Sequence, residues 1–202
     1  MVTTRIKQNK GLSLIDAMLT IALGIILFAS LGIMMSIQRR QTLITEKSQQ
    51  DAKIWFNFVN AVQSYASSNN LSNTYVSCNT LVNNNILALN QCQDIFGNTL
   101  SGYIKTPEEV YAYIGTYTPS YPAMLHTLGL GNTGSLQSFY SDVLSTLTKL
   151  GAIYNAQYDI IFTNNAYSYD MEYRLRTTNN LPFSAPADPV DGYYPAVRMI
   201  TY

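Results

Sequence analysis

Asp16 is the first side chain whose place in the sequence demands a chemical explanation. It stands at the head of an apolar run, in Lys10-Gly11-Leu12-Ser13-Leu14-Ile15-Asp16-Ala17. A lone carboxylate in hydrocarbon costs about 2.5–3.5 kcal/mol on insertion scales, so such groups usually carry a function and find a partner. A plainer reading makes Asp16 a first-turn acid that complements the helix dipole. Cys78 and Cys92 are the two cysteines. An even count on an exported domain favours a disulfide, against the alternative of two buried thiols. His126 is the single histidine. A Ser-His-Asp site would need it, and no nucleophile elbow surrounds it. No Gly-rich phosphate loop and no Cys/His metal spacing occurs. Asp188 and Asp191, in Asp188-Pro189-Val190-Asp191-Gly192, would give a calcium ion few ligands, and an ordinary turn is the preferred reading. The side chains therefore imply no enzyme, no metal and no cofactor.

These residues must be positioned by elements that the sequence also announces. Ala17 to Ile37 is a run of 21 residues without a charge. As a helix it would span about 30 Å, the thickness of a bilayer's hydrocarbon core. It is too long for the core of a cleaved secretory signal, and no small-residue cleavage pattern follows it. A simple signal anchor stays open. Arg5, Lys7 and Lys10 precede the run, and Arg39 and Arg40 follow it. This bias places the N-terminus on the cytoplasmic side. From Thr42 to Ser67 there is no Gly or Pro, and Trp55, Phe58, Val59, Val62 and Ala66 recur at helical spacing. One helix of roughly 80 Å is expected from Ser13 to Ser67, its second half packing an aromatic stripe onto a head.

Only 12% of the residues are charged, with 12 Lys plus Arg against 12 Asp plus Glu. No global charge points to nucleic acid. Sixteen tyrosines accompany abundant Asn, Ser and Thr. That profile suits an exported polar surface. The tyrosines are read as sheet and core filler first. Their second reading is a contact surface for subunits or carbohydrate.

The basic leader, Gly11, Leu12, the acid at Asp16 and the apolar run together resemble the type IV prepilin processing site. The resemblance covers the first third of the chain. It implies a cut by a prepilin peptidase after Gly11 and methylation of the new amine on Leu12. It departs in carrying Asp16 where Glu is usual. Loss of the three leader cations would leave three more acidic than basic side chains. In a packed filament the Asp16 carboxylate of one subunit would meet the amine of its neighbour. Gly24 and Gly32, with Ser30 and Ser36, would let helices approach closely in lipid. Phe58-Val59-Asn60-Ala61-Val62-Gln63-Ser64-Tyr65 resembles the spine end of PilV-type minor pilins of type IVb systems, and the expectation from it is a minor subunit lacking their adhesive tail or a major subunit. A C-terminal disulfide loop, usual in many pilins, is not expected, because no cysteine follows Cys92.

In the head, Cys78 to Ile86 reads as a short helix, with Cys92 closing a loop worth about 3 kcal/mol if bridged. Thr106-Pro107-Glu108-Glu109 reads as a helix start running to Ile114. Tyr121 to Leu128 reads as a short helix, and Gly129 to Gly134 as a turn. Ser135 to Leu150 is expected as the main head helix, its stripe formed by Leu136, Phe139, Tyr140, Val143, Leu144, Leu147 and Leu150, with Gly151 as its C-terminal cap. Gln157 to Thr163 and Tyr167 to Thr177 read as strands joined in a hairpin through Asn164-Asn165-Ala166. Leu181 to Pro189 reads as a loop and Tyr194 to Thr201 as a closing strand.

The expected architecture is α+β: a long N-terminal pilin-type helix packed on a globular head with short helices and a small antiparallel sheet. Residues 1–11 form the leader, 12–68 the helix (12–37 membrane or filament core, 38–68 amphipathic) and 69–202 the periplasmic or extracellular head. The expected function is that of a pilus subunit serving adhesion, conjugation or a related surface role. Expected partners are the prepilin peptidase, other pilin subunits, an inner-membrane assembly platform and a surface or carbohydrate receptor. The expected location is the bacterial inner membrane before assembly and the cell surface after it. The rival readings are a type II secretion pseudopilin and an uncleaved membrane-anchored binding domain.

Overall fold

The computed structural model describes residues 14–131, 133–164, 170–171, 175–177, 182–183 and 193–201. The chain is α+β and divides into two compact units, Met1–Thr42 and Leu43–Tyr202. The division falls inside one helix, α1, Leu14–Asn69. It starts one residue after, and ends two residues after, the bounds expected from the uninterrupted run of helix-compatible residues. Asn70 follows with a φ of 49°, and Leu71 N–H donates to the Ala66 carbonyl at 3.0 Å. A left-handed Asn is a common way to end a helix.

In the second unit α1 supplies a buried stripe: Ser48, Asp51, Ala52, Trp55, Phe58, Val59, Val62 and Ala66. The 3–4 spacing keeps these on one face. Strand β1, Thr74–Ser77, leads into helix α2, Cys78–Asn83. Ser77 caps α2, its Oγ accepting from Thr80 N–H at 3.2 Å. Strands β2, Thr99–Thr106, and β3, Glu109–Thr116, follow. Then come helices α3, Tyr121–Leu128, and α4, Thr133–Tyr154. Strands β4, Ala156–Asn164, β5, Asp170–Met171, β6, Leu175–Thr177, and β7, Tyr193–Thr201, complete the described order. Among the described residues the sheet runs β1-β2-β3-β7-β4-β6-β5.

Residues 106–114, expected as a helix, form the β2–β3 hairpin instead. Pro107 and Glu108 are the turn, and Glu109 N–H donates to Thr106 Oγ1 at 3.1 Å. Pro at the second place of a turn and Pro at the first place of a helix share the same φ, so the motif is ambiguous locally. Period-2 patterning decides it. Leu100, Gly102, Ile104, Val110, Ala112 and Ile114 face the core, with the five side chains other than glycine fully buried. Gly102 packs against α1. A Cβ there would lie 2.6 Å from Val62 Cγ2. Gly102→Ala is expected to cost about 1–3 kcal/mol through overpacking, read as a lowered melting temperature.

Gly151 is not the cap of α4, which continues to Tyr154. A Cβ on Gly151 would collide with the Ala156 carbonyl and approach the Tyr158 ring. The glycine is there for close approach, and the left-handed residue is Asn155, at φ 52°. The expected strand 167–177 also differs. β5 and β6 pair antiparallel with each other, Asp170 opposite Arg176 and Met171 opposite Leu175. β6 lies parallel to β4, with Ile160 opposite Leu175. One continuous strand cannot do both. Asn165 and Ala166 of the expected hairpin lie outside the described residues. β7 is central, flanked by β3 and β4. A central last strand, and three strands ahead of the main head helix, replace the expected order of helices first and sheet last.

Candidate functional site

The apolar half of α1 is the first candidate. Leu14, Met18, Leu19, Ile21, Leu23, Ile25, Ile26, Leu27 and Phe28 are exposed, as are the large apolar residues from Leu31 to Ile37. The helix is long and apolar enough to cross a membrane, and its most apolar window is unburied. Asp16 lies in its first turn and is exposed. Its carbonyl accepts from Thr20 Oγ1 at 2.7 Å. Helical periodicity puts Asp16, Thr20, Leu23, Leu27 and Met34 on one stripe. Gly24 and Gly32 lie eight residues apart, about 80° around the helix, and a Cβ on either would meet nothing within 4 Å. Gly11 and Leu12 lie outside the described residues, as do Asp188 and Asp191 of the weak calcium reading. Among the described residues no cluster of three or more His, Cys, Asp or Glu is placed to hold a metal. His126 sits in the last turn of α3.

Cys78 and Cys92 are joined, with their Cα atoms 5.7 Å apart. The link ties the first residue of α2 to the end of a short 3-10 turn, Leu89–Gln91. Leu100 N–H then donates to the Cys92 carbonyl at 2.8 Å, fastening the loop to β2.

Sequence reasoning missed two polar constellations. The first is buried beneath the loop that follows Cys92. Asp51 on α1 accepts from Trp55 Nε1 at 2.9 Å and from Ile95 N–H at 3.2 Å. Asp94 accepts from Phe96 N–H at 2.9 Å, Asn98 N–H at 2.8 Å and Asn98 Nδ2 at 2.8 Å. Burial pushes the Asp94 carboxyl up to about 6 against the donors around it. Burial, and then the nearby Asp94, push Asp51 well above the carboxylate range. The signal was present in the sequence, since Asp51 falls four residues before Trp55 on the apolar stripe.

The second lies on the sheet face away from α1. Register aligns Tyr75, Tyr103, Tyr111, Arg198 and Asp159 in one row across β1, β2, β3, β7 and β4. Arg198 bonds Asp159 through Nε at 3.2 Å and also through Nη2. Its Nη1 is 3.7 Å from Glu109 Oε1. Glu109 accepts from Tyr111 OH at 2.6 Å and from Lys105 Nζ at 2.7 Å. Burial raises the Glu109 carboxyl, but the Lys105 and Tyr111 hydrogen bonds outweigh it and hold the group below its usual value. Phe183 stacks on Tyr113 at 4.6 Å and lies 5.2 Å from Tyr103 and 5.4 Å from Tyr111. This cluster is a minor second core. The tyrosines thus divide between two roles: Tyr121, Tyr140 and Tyr158 fill the main core, while Tyr103, Tyr111 and Tyr113 build the other face.

Neither constellation combines a nucleophile, a base and an open reacting position. Both read as structural networks that hold the head to its helix and its sheet together. Three comparisons complete the description: no family model matches the chain, no curated protein matches it, and no solved structure matches it.

Proposed function

We propose that the chain is a type IV pilin-like subunit, a structural protein of a filament. In this reading a prepilin peptidase cuts after Gly11, the amine of Leu12 is methylated, and residues 12–37 hold the subunit in the bacterial inner membrane with its head in the periplasm. An assembly platform then transfers it into a helical filament of like subunits, as a PilV-type minor subunit or a major one. The observation that carries this reading is α1 itself. One continuous helix joins an exposed apolar segment, with Asp16 as the acid of its first turn, to a buried stripe in the head. Two charges in hydrocarbon are costly singly and tolerable as a pair, so the Asp16 carboxylate and a neighbour's Leu12 amine would select one packing register. Gly24 and Gly32, each with open space where a Cβ would be, suit close helix approach.

The N-terminal residue and intact mass of the protein from its host membrane test the reading. Methyl-Leu12 is the expected start. A chain starting at Met1 or Val2 would overturn it in favour of the uncleaved anchored domain. Asp16→Ala is expected to insert normally yet lose about tenfold in filament incorporation, measured by sheared-filament yield, for about 1.4 kcal/mol of lost pairing. Undiminished yield would count against Asp16 as the register charge. A secretion pseudopilin would show the same processing with a short periplasmic filament.

A further inference from the structure

The disulfide borders a cavity of about 810 Å³ that plays no part in the assembly reading. That volume is within the range of small-ligand sites. Three carboxamides line it, Asn79, Asn90 and Gln93, together with Thr99 and Leu89. The lining holds no Lys, Arg, His, Asp or Glu. An anion or a cation would therefore find no counter-charge there. Asn79, Asn90 and Gln93 are exposed. Among the described residues, no side-chain hydrogen bond is made by any of the three. Each amide brings two donor hydrogens and an acceptor oxygen.

The walls are fixed before any ligand arrives. The disulfide joins the two sides. Ser77 caps α2, and Ala88 N–H donates to Gln91 Oε1 at 3.3 Å, closing the turn that carries Leu89 and Asn90. A preformed site loses less entropy on binding. The strand backbone at the cavity is already paired: Thr99 bridges Gln93 on one side and Thr116 on the other. A peptide could not add there as a strand, the usual route to backbone-driven affinity. What is left for a ligand is amide side chains that both donate and accept, and one apolar face, Leu89, which is 67% exposed. A hydroxyl group both donates and accepts. The ligand class that carries many hydroxyls, no charge and an apolar C–H face is the neutral saccharide.

We infer that the cavity between α2 and the Leu89–Gln91 turn binds a neutral saccharide, held by Asn79, Asn90 and Gln93 with Leu89 against one ring face. This does not rest on filament assembly. The test uses the full chain in a zwitterionic detergent without a sugar headgroup, titrated by NMR with lactose, maltose, chitobiose and mannobiose. N-acetylneuraminic acid and the peptide Gly-Asn-Ser-Gly are the comparators. At least one neutral disaccharide is expected to bind with a Kd of roughly 1 mM. Asn90→Ala and Gln93→Ala, both exposed and expected to keep the melting temperature, should each weaken it about tenfold. Three results would overturn the inference: no neutral disaccharide bound at about 10 mM, binding that both variants leave unchanged, or binding of the peptide or the acid sugar alone.

Discussion

Arg198→Met is expected to destabilise the head by about 3 kcal/mol, read as a lower urea midpoint with an unchanged slope. Asp159 is almost fully buried, its side chain 2% exposed, and Arg198 is its cationic partner. Gln157 Nε2 adds only a long contact to Asp159 Oδ1 at 3.4 Å. Removing the guanidinium leaves a buried carboxylate without its counter-charge and takes one cation from Glu109. Breaking one side of a buried pair costs more than replacing both sides. The double variant Arg198→Met with Asp159→Leu should therefore recover most of the loss. If the double variant is as unstable as the sum of both singles, the pair is not the source of the effect. Lys105, half exposed, should matter little. Lys105→Ala is expected to cost less than about 1 kcal/mol.

Stability is expected to fall as pH rises from about 4 to about 7, with Asp94 alone contributing about 2–3 kcal/mol of the loss. The Asp94 carboxyl titrates at about 6 in the folded protein, above its ordinary 3.8. A tenfold difference in proton affinity between folded and unfolded chains corresponds to about 1.4 kcal/mol. A raised carboxyl binds its proton more tightly in the folded state. Its contribution is thus fully present below about 4 and lost as pH rises through about 6. Asp51, also raised, acts in the same direction. Tyr140 on α4 is pushed up by burial first, then by Tyr121, Asp51, Asp94 and Tyr117, so it stays neutral across this window. Glu109 works oppositely, since its lowered value contributes stability that disappears as pH falls through it. The melting temperature should peak where the two windows meet, at about pH 4. Asp94→Asn should make the limb above the peak shallower and leave the acid limb in place. An equally steep fall in that variant would remove Asp94 from the explanation.

The sequence was most readable where structure is local. A long uncharged apolar run, and a stripe at 3–4 spacing free of Gly and Pro, are properties of a single segment, and they announced the two halves of α1 and the body of α4. The two cysteines could be paired by count, and the structure joins them. The apolar run with Asp16 in its first turn was visible as a candidate site from composition alone, because hydrocarbon would penalise the charge.

Elsewhere the same residues admitted two structures, and only distant partners chose between them. Thr106-Pro107-Glu108-Glu109 satisfies a helix start and a hairpin turn equally. The strand answer came from Val62, Ile104 and Val110 burying one face of β2 and β3 against α1. Gly151 looks like a helix end, but the Ala156 carbonyl and the Tyr158 ring decide that nothing larger fits. The alternation around 170–177 announced strand without naming a neighbour, and the structure made β6 parallel to β4. By itself the sequence determined the long helix, its apolar unburied half, the acid in its first turn and the two-cysteine loop. Tertiary structure alone decided the strand order, the Asp51–Asp94 pair, the Arg198 network and the cavity beside the disulfide. Each of these brings together groups far apart in the chain, and local propensity carries no information about contacts across that distance.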